Sequence, residues 1–103
     1  MSVLMTFRVA GDPARLEQYA SENPDTMRAV RDRAAEHGLI YHRFYGSDDG
    51  TVLVVDEWAS QEDFQRFFEA SPEIDEMMQE VGASGEPEVT FWRKLETHDD
   101  YPE

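Results

Sequence analysis

The sequence predicts an α+β domain, one four-stranded antiparallel sheet with helices packed on one face. Three observations carry that prediction. Hydrophobic periodicity switches between two and 3.6 along the chain in the order β-α-β-β-α-β. A Gly- and Asp-rich segment, Gly46–Gly50, separates two strand patterns and reads as a five-residue hairpin loop. Gly38 and Gly82 each stop a helical stripe. A chain of 103 residues supports one such domain, assigned here to residues 1–95, with an acidic tail over 96–103.

The first strand spans Val3 to Val9, with Val3, Met5, Phe7 and Val9 on one face. Gly11-Asp12-Pro13 ends it. Asp12 suits an N-cap and Pro13 the first helical position. The following helix comes in two pieces, because Pro24 lacks an amide hydrogen and disfavours a helical Asn23. Met27, Val30 and Ala34 make the apolar stripe of the second piece, with Arg31 on its wet side. In the second strand, Leu39 to Tyr45, alternation sets Ile40, His42 and Phe44 against Leu39, Tyr41, Arg43 and Tyr45. The third strand runs from about Thr51 to Trp58. Ser60 caps the next helix, which presents Phe64, Phe67 and Phe68. Ser71-Pro72 restarts it, adding Ile74, Met77, Met78 and Val81. Gly82 to Pro87 reads as a loop, and Val89 to Leu95 as the last strand. This order is the split βαβ, or ferredoxin-like, arrangement.

Composition excludes several classes of function. Net charge is −14, and −12 of it falls after residue 50. Such a surface repels phosphate backbones and anionic lipids, so neither nucleic acid nor a membrane is an expected partner. No apolar window reaches membrane-spanning length, and the N-terminus lacks the basic start of a signal peptide. There are no cysteines, hence no disulfide framework and no thiolate site. A cytoplasmic location is the default expectation. Three scattered histidines predict no metal site. No phosphate-binding glycine loop or Ser-His-Asp spacing is present.

One strand breaks the expected alternation. Val52, Leu53, Val54 and Val55 make both faces of the third strand apolar. Val3-Leu4-Met5 and Phe91-Trp92 repeat this on the outer strands. Helices cover one face only, and an apolar patch of that size is uncommon on a soluble monomer. The expected partner is therefore a second copy, a homodimer packed sheet to sheet.

Two strings, Glu36-His37-Gly38-Leu39-Ile40-Tyr41-His42 and Asp56-Glu57-Trp58-Ala59-Ser60-Gln61-Glu62-Asp63-Phe64, together with the element order, resemble the dimeric α+β barrel superfamily. Within it the chain is most similar to the antibiotic-biosynthesis-monooxygenase-like (ABM) domain, over Val3 to Leu95. The resemblance implies a small bacterial homodimer with a pocket between helices and sheet. Some members oxidise anthrones or quinols with molecular oxygen and no bound cofactor, some degrade haem, and many have no known activity. The haem branch would place a histidine near Met77, a tryptophan near Phe67 and an asparagine near Thr6 or Phe7; none matches. The quinol branch often has a histidine near Phe67 and an aromatic residue at the position of His42. Neither catalytic set carries over.

His42 is the candidate catalytic residue. Imidazoles ordinarily titrate near neutrality, which suits a base for a phenol or quinol. A core or interface histidine fits the same position. Trp58, Phe67, Phe68, Met77 and Trp92 are the candidate substrate-binding residues, and all of them also fit as packing residues. Tyr41, Arg43 and Tyr45 fit either a substrate carboxylate or the dimer contact. Asp56 and Glu57 are neighbours on a strand and so point to opposite faces; they cannot work as a pair. Two readings follow. One is a monooxygenase-like protein that uses no cofactor and acts on a small aromatic ligand of quinol or anthrone type. The other is a non-catalytic ligand-binding or structural dimer of the same fold.

Overall fold

A computed structural model describes residues 2–103. The elements run β1 (Val3–Ala10), α1 (Pro13–Glu22), α2 (Pro24–Glu36), β2 (Leu39–Gly46), β3 (Thr51–Trp58), α3 (Gln61–Glu69), α4 (Pro72–Glu80) and β4 (Ser84–Trp92). The four strands form one sheet, ordered β2-β3-β1-β4, with every neighbouring pair antiparallel. The ferredoxin-like α+β architecture is therefore as the periodicity predicts.

The caps explain where helices begin. The Asp12 carboxylate accepts from the Ala14 amide at 2.9 Å, and Ser60 Oγ accepts from the Asp63 amide at 3.1 Å. Pro24 and Pro72 restart the two helical layers without a side-chain cap. Asn23 instead donates back to the Tyr19 carbonyl, and Ser71 donates to the Phe67 carbonyl at 2.6 Å. Ser71 also accepts from Arg33, whose two terminal nitrogens reach both Glu73 oxygens at 2.8 and 3.0 Å. That clamp ties α2 to the start of α4.

One face of the sheet carries Met5, Phe7, Val9, Val52, Asp56 and Trp58, all buried beneath the helices. Leu16, Ala34, Phe64, Phe67, Met77 and Val81 close the core from the helical side. The other face carries Leu4, Tyr41, Tyr45 and Trp92, all exposed, with Leu53 and Val55 half-buried between them.

Three expectations are corrected. The β2–β3 register shifts between Leu39 and Tyr41, so Ile40 bulges out of the alternation and is 59% exposed, while Leu39 packs on the core. His42 and Phe44 keep the inward face. The hairpin loop is shorter than five residues, since Gly46 pairs with Val52 inside the sheet. The last strand starts at Ser84 and stops at Trp92; the presumed loop pairs with the end of β1 after a register shift between Arg8 and Ala10. Arg93 to Leu95 lies beyond it, and the acidic tail has no helix or strand.

Candidate functional site

The apolar layer between helices and sheet is not filled. A cavity of about 120 Å³ lies there. Its floor comes from the inward residues of β1, β2 and β3, among them Met5, Phe44, Val54 and Trp58. Its roof comes from all four helices, including Leu16, Met27, Phe67, Phe68 and Met77. Helical spacing places the roof side chains together: Phe64, Phe67 and Phe68 fall on one stripe of α3. Phe64 stacks on Phe68 with centroids 5.6 Å apart, and Trp58 lies 5.5 Å from Phe67.

The lining is apolar except at three points: His42, Asp56 and Arg31. His42 and Asp56 face each other across the β2–β3 ladder, because the register pairs them directly. His42 Nδ1 lies 2.7 Å from Asp56 Oδ1. The second carboxylate oxygen accepts from the Trp58 indole N–H at 3.1 Å. Asp56 is only 5% exposed, so a charge there requires such partners. The ring of His42 meets Phe44 edge-on at 4.8 Å. Its Nε2 has no hydrogen-bond partner among the described residues.

With Nδ1 against a carboxylate, the N–H sits on Nδ1 and donates to Asp56. Nε2 is then the lone-pair nitrogen. The arrangement holds an imidazole in one orientation against a buried carboxylate, at the wall of an apolar cavity. Arg31, on α2, is the one cationic side chain in the lining; it also pairs with its neighbour Asp32 at 2.8 Å.

Four of the five sequence-predicted binding residues line this cavity: Trp58, Phe67, Phe68 and Met77. Trp92 does not. It points to the outer face, is 50% exposed, and donates its indole N–H to Thr6 Oγ1 at 2.9 Å. The reason is strand parity: Trp92 pairs with Leu4 and Phe91 with Met5, so Phe91 takes the inner side. Tyr41, Arg43 and Tyr45 are likewise outside, with the Arg43 guanidinium 4.7 Å over the Tyr41 ring.

The residue that sequence reasoning missed is Asp56. Adjacency sets it against Glu57, which does point the other way. The available signal was inward parity with Val52, Val54 and Trp58, since an acid at such a position needs a buried partner. Arg31 was missed because its helical position reads as solvent-facing.

No protein-family model matches the chain, and no curated protein matches it. Solved structures do. SnoaB from Streptomyces nogalater, described as a cofactor-independent oxygenase, is 18% identical, with a TM-score of 0.57 over 96% of this chain and 98% of that one. The monooxygenase from the gene ActVA-Orf6 of Streptomyces coelicolor, solved with the ligand nanaomycin D, is 19% identical, with a TM-score of 0.60 over 93% and 88%. A dimeric ferredoxin-like protein from an uncultured marine organism is 15% identical, with a TM-score of 0.63 over 87% and 84%. At these identities the likeness is one of fold: the chain has the ferredoxin-like architecture, which it shares with a solved structure described as an antibiotic biosynthesis monooxygenase.

Proposed function

We propose that the protein is a cofactor-independent monooxygenase that oxidises a small quinol-type aromatic. The observation that carries this reading is the His42–Asp56 pair set in the wall of the apolar cavity. His42 Nε2 takes the phenolic proton, and Asp56 stabilises the imidazolium that forms. The electron-rich phenolate gives one electron to O₂. The resulting semiquinone and superoxide join through a new ring C–O bond, and the peroxide oxygen takes the proton back from His42. The hydroperoxide then loses water as its O–O bond and the adjacent C–H bond break. A hydroquinone plus O₂ becomes a hydroxyquinone plus water. An apolar pocket suits O₂ and a planar ring alike.

Cavity size narrows the substrate class. A volume of about 120 Å³ is well below the ~300 Å³ at which drug-sized pockets begin. One- or two-ring quinols enter with least rearrangement. A three-ring anthrone requires Met27, Met77 or Met78 to change rotamer, which unbranched methionines do readily. Oxygen consumption with a panel of quinols and anthrones tests the reading. The expected result is turnover of at least one member, favouring smaller rings, that falls in His42→Ala. No turnover on any member, or turnover unchanged in His42→Ala, would favour the non-catalytic dimer.

We also infer that the outer sheet face packs against a second copy. Leu4, Leu53, Val55, Tyr41 and Trp92 line that face, and the dimeric neighbour shares the fold.

A further inference from the structure

We infer that Trp58 is a positioning residue, acting on His42 through Asp56, and not only a wall of the cavity. The inference rests on reading His42 as the base. The geometry divides the carboxylate between two donors: His42 Nδ1 holds Oδ1 at 2.7 Å and Trp58 Nε1 holds Oδ2 at 3.1 Å. Each oxygen has its own partner, so the carboxylate cannot rotate without breaking one bond. Trp58 itself is fixed. It is 1% exposed and lies between Phe64 at 5.6 Å and Phe67 at 5.5 Å. Strand parity builds the arrangement, since Asp56 and Trp58 are two residues apart on one face of β3 and His42 stands opposite Asp56.

The consequence is a choice of tautomer. A free imidazole in water favours the hydrogen on Nε2, which would leave the lone pair on Nδ1, against Asp56. A carboxylate pinned at Nδ1 reverses that preference and keeps Nε2 bare. Without the indole donor, Oδ2 would be buried and unpaired, and the carboxyl group would turn to satisfy it. The other charged group of the lining is Arg31 from α2, and His37 faces Phe67 from outside with centroids 6.1 Å apart. Neither touches the Asp56 carboxylate. Trp92 provides an internal control, because its indole donates to a neutral hydroxyl on the opposite face.

The test is nitrogen-15 NMR of the wild-type protein through a pH titration. The Trp58 indole N–H signal should move with the same midpoint as the His42 ring, while the Trp92 signal should not follow it. The Trp58 response should vanish in His42→Ala. Neutral His42 should carry its hydrogen on Nδ1, and Trp58→Phe should shift it toward the Nε2 tautomer. In Trp58→Phe, kcat should drop about tenfold or more, the scale of a lost hydrogen bond to a charged group, with KM little changed. A Trp58 signal that stays flat through the His42 titration, or a neutral His42 protonated on Nε2, would overturn the inference. These signals are read without substrate. Absence of turnover would therefore overturn the oxygenase reading alone.

Discussion

A carboxylate buried between an imidazole and an indole is stable only while both of its oxygens are paired, and Asp56 meets that condition. Asp56→Asn keeps the size but puts an amide N–H against one of two donors. Turnover should fall by about 10²-fold or more, in the range that general-base catalysis contributes, and the melting temperature should drop as well. Steady-state kinetics beside a thermal melt separates the two effects. If turnover survives in Asp56→Asn, the acid is structural only. Phe67 tests the other wall. It is buried under Trp58 and Arg33, and Phe67→Ala should cost about 3–5 kcal/mol by denaturant unfolding. A much smaller loss would mean that the roof collapses readily onto the cavity. At this scale the sequence was legible in part. Period and parity brought Trp58, Phe67, Phe68 and Met77 to one cavity. The partner of His42 was hidden because the hairpin sets the register: Gly46 pairs with Val52, which brings His42 opposite Asp56, whereas a five-residue loop would set it opposite Val54.

Elements are joined here by a few specific contacts, and these make the next predictions. The Arg33 guanidinium, bonded to Glu73, holds that carboxyl below its ordinary value of 4.5. A depressed carboxyl contributes stability above its unfolded-state pKa and loses it as pH falls through the folded value. The α2–α4 clamp should thus weaken progressively below about pH 4.5. Glu73→Gln should lower stability at neutral pH and flatten the acid dependence. An unchanged acid limb would assign the effect to other carboxyls. The turn from α2 into β2 is constrained differently. Gly38 has φ of +114°, and a Cβ there would lie 2.6 Å from Asp63 Oδ2. Gly38→Ala should therefore destabilise by about 1 kcal/mol or more, and recovery in an added Asp63→Ala would identify the clash as the larger part. Helix limits were legible to within a residue, because Asp12, Pro24, Ser60 and Pro72 are local signals. The last strand was not. Gly85 and Pro87 argue for a loop in isolation, and only the free edge of β1 recruits them into the sheet.

For the whole molecule, the two faces of the sheet have different tasks. The inner face builds a core with one small unfilled region. The outer face leaves Leu4, Tyr41, Tyr45 and Trp92 exposed around Leu53 and Val55. The proposed sheet-to-sheet homodimer would cover that face, and it predicts a sedimentation mass of twice 11.9 kDa. A mass of 11.9 kDa at micromolar concentration would contradict it. A net charge of −14 would set such dimers against mutual contact and against nucleic acid by like-charge repulsion. The fold was legible from the alternation of periods, and the unusual two-sided apolar strand marked the face left open. The family resemblance implied a pocket between helices and sheet, but its size was not legible, since an unfilled volume depends on how side chains from seven elements meet. The central claim concerns what occupies it. The direct measurement is a crystal structure of the protein with a one- or two-ring quinol, soaked without oxygen. The ring should lie between the α3 phenylalanines and the sheet, with a phenolic oxygen about 2.6–3.2 Å from His42 Nε2. A quinol bound only on the outer face, or a cavity that stays closed to it, would contradict the account.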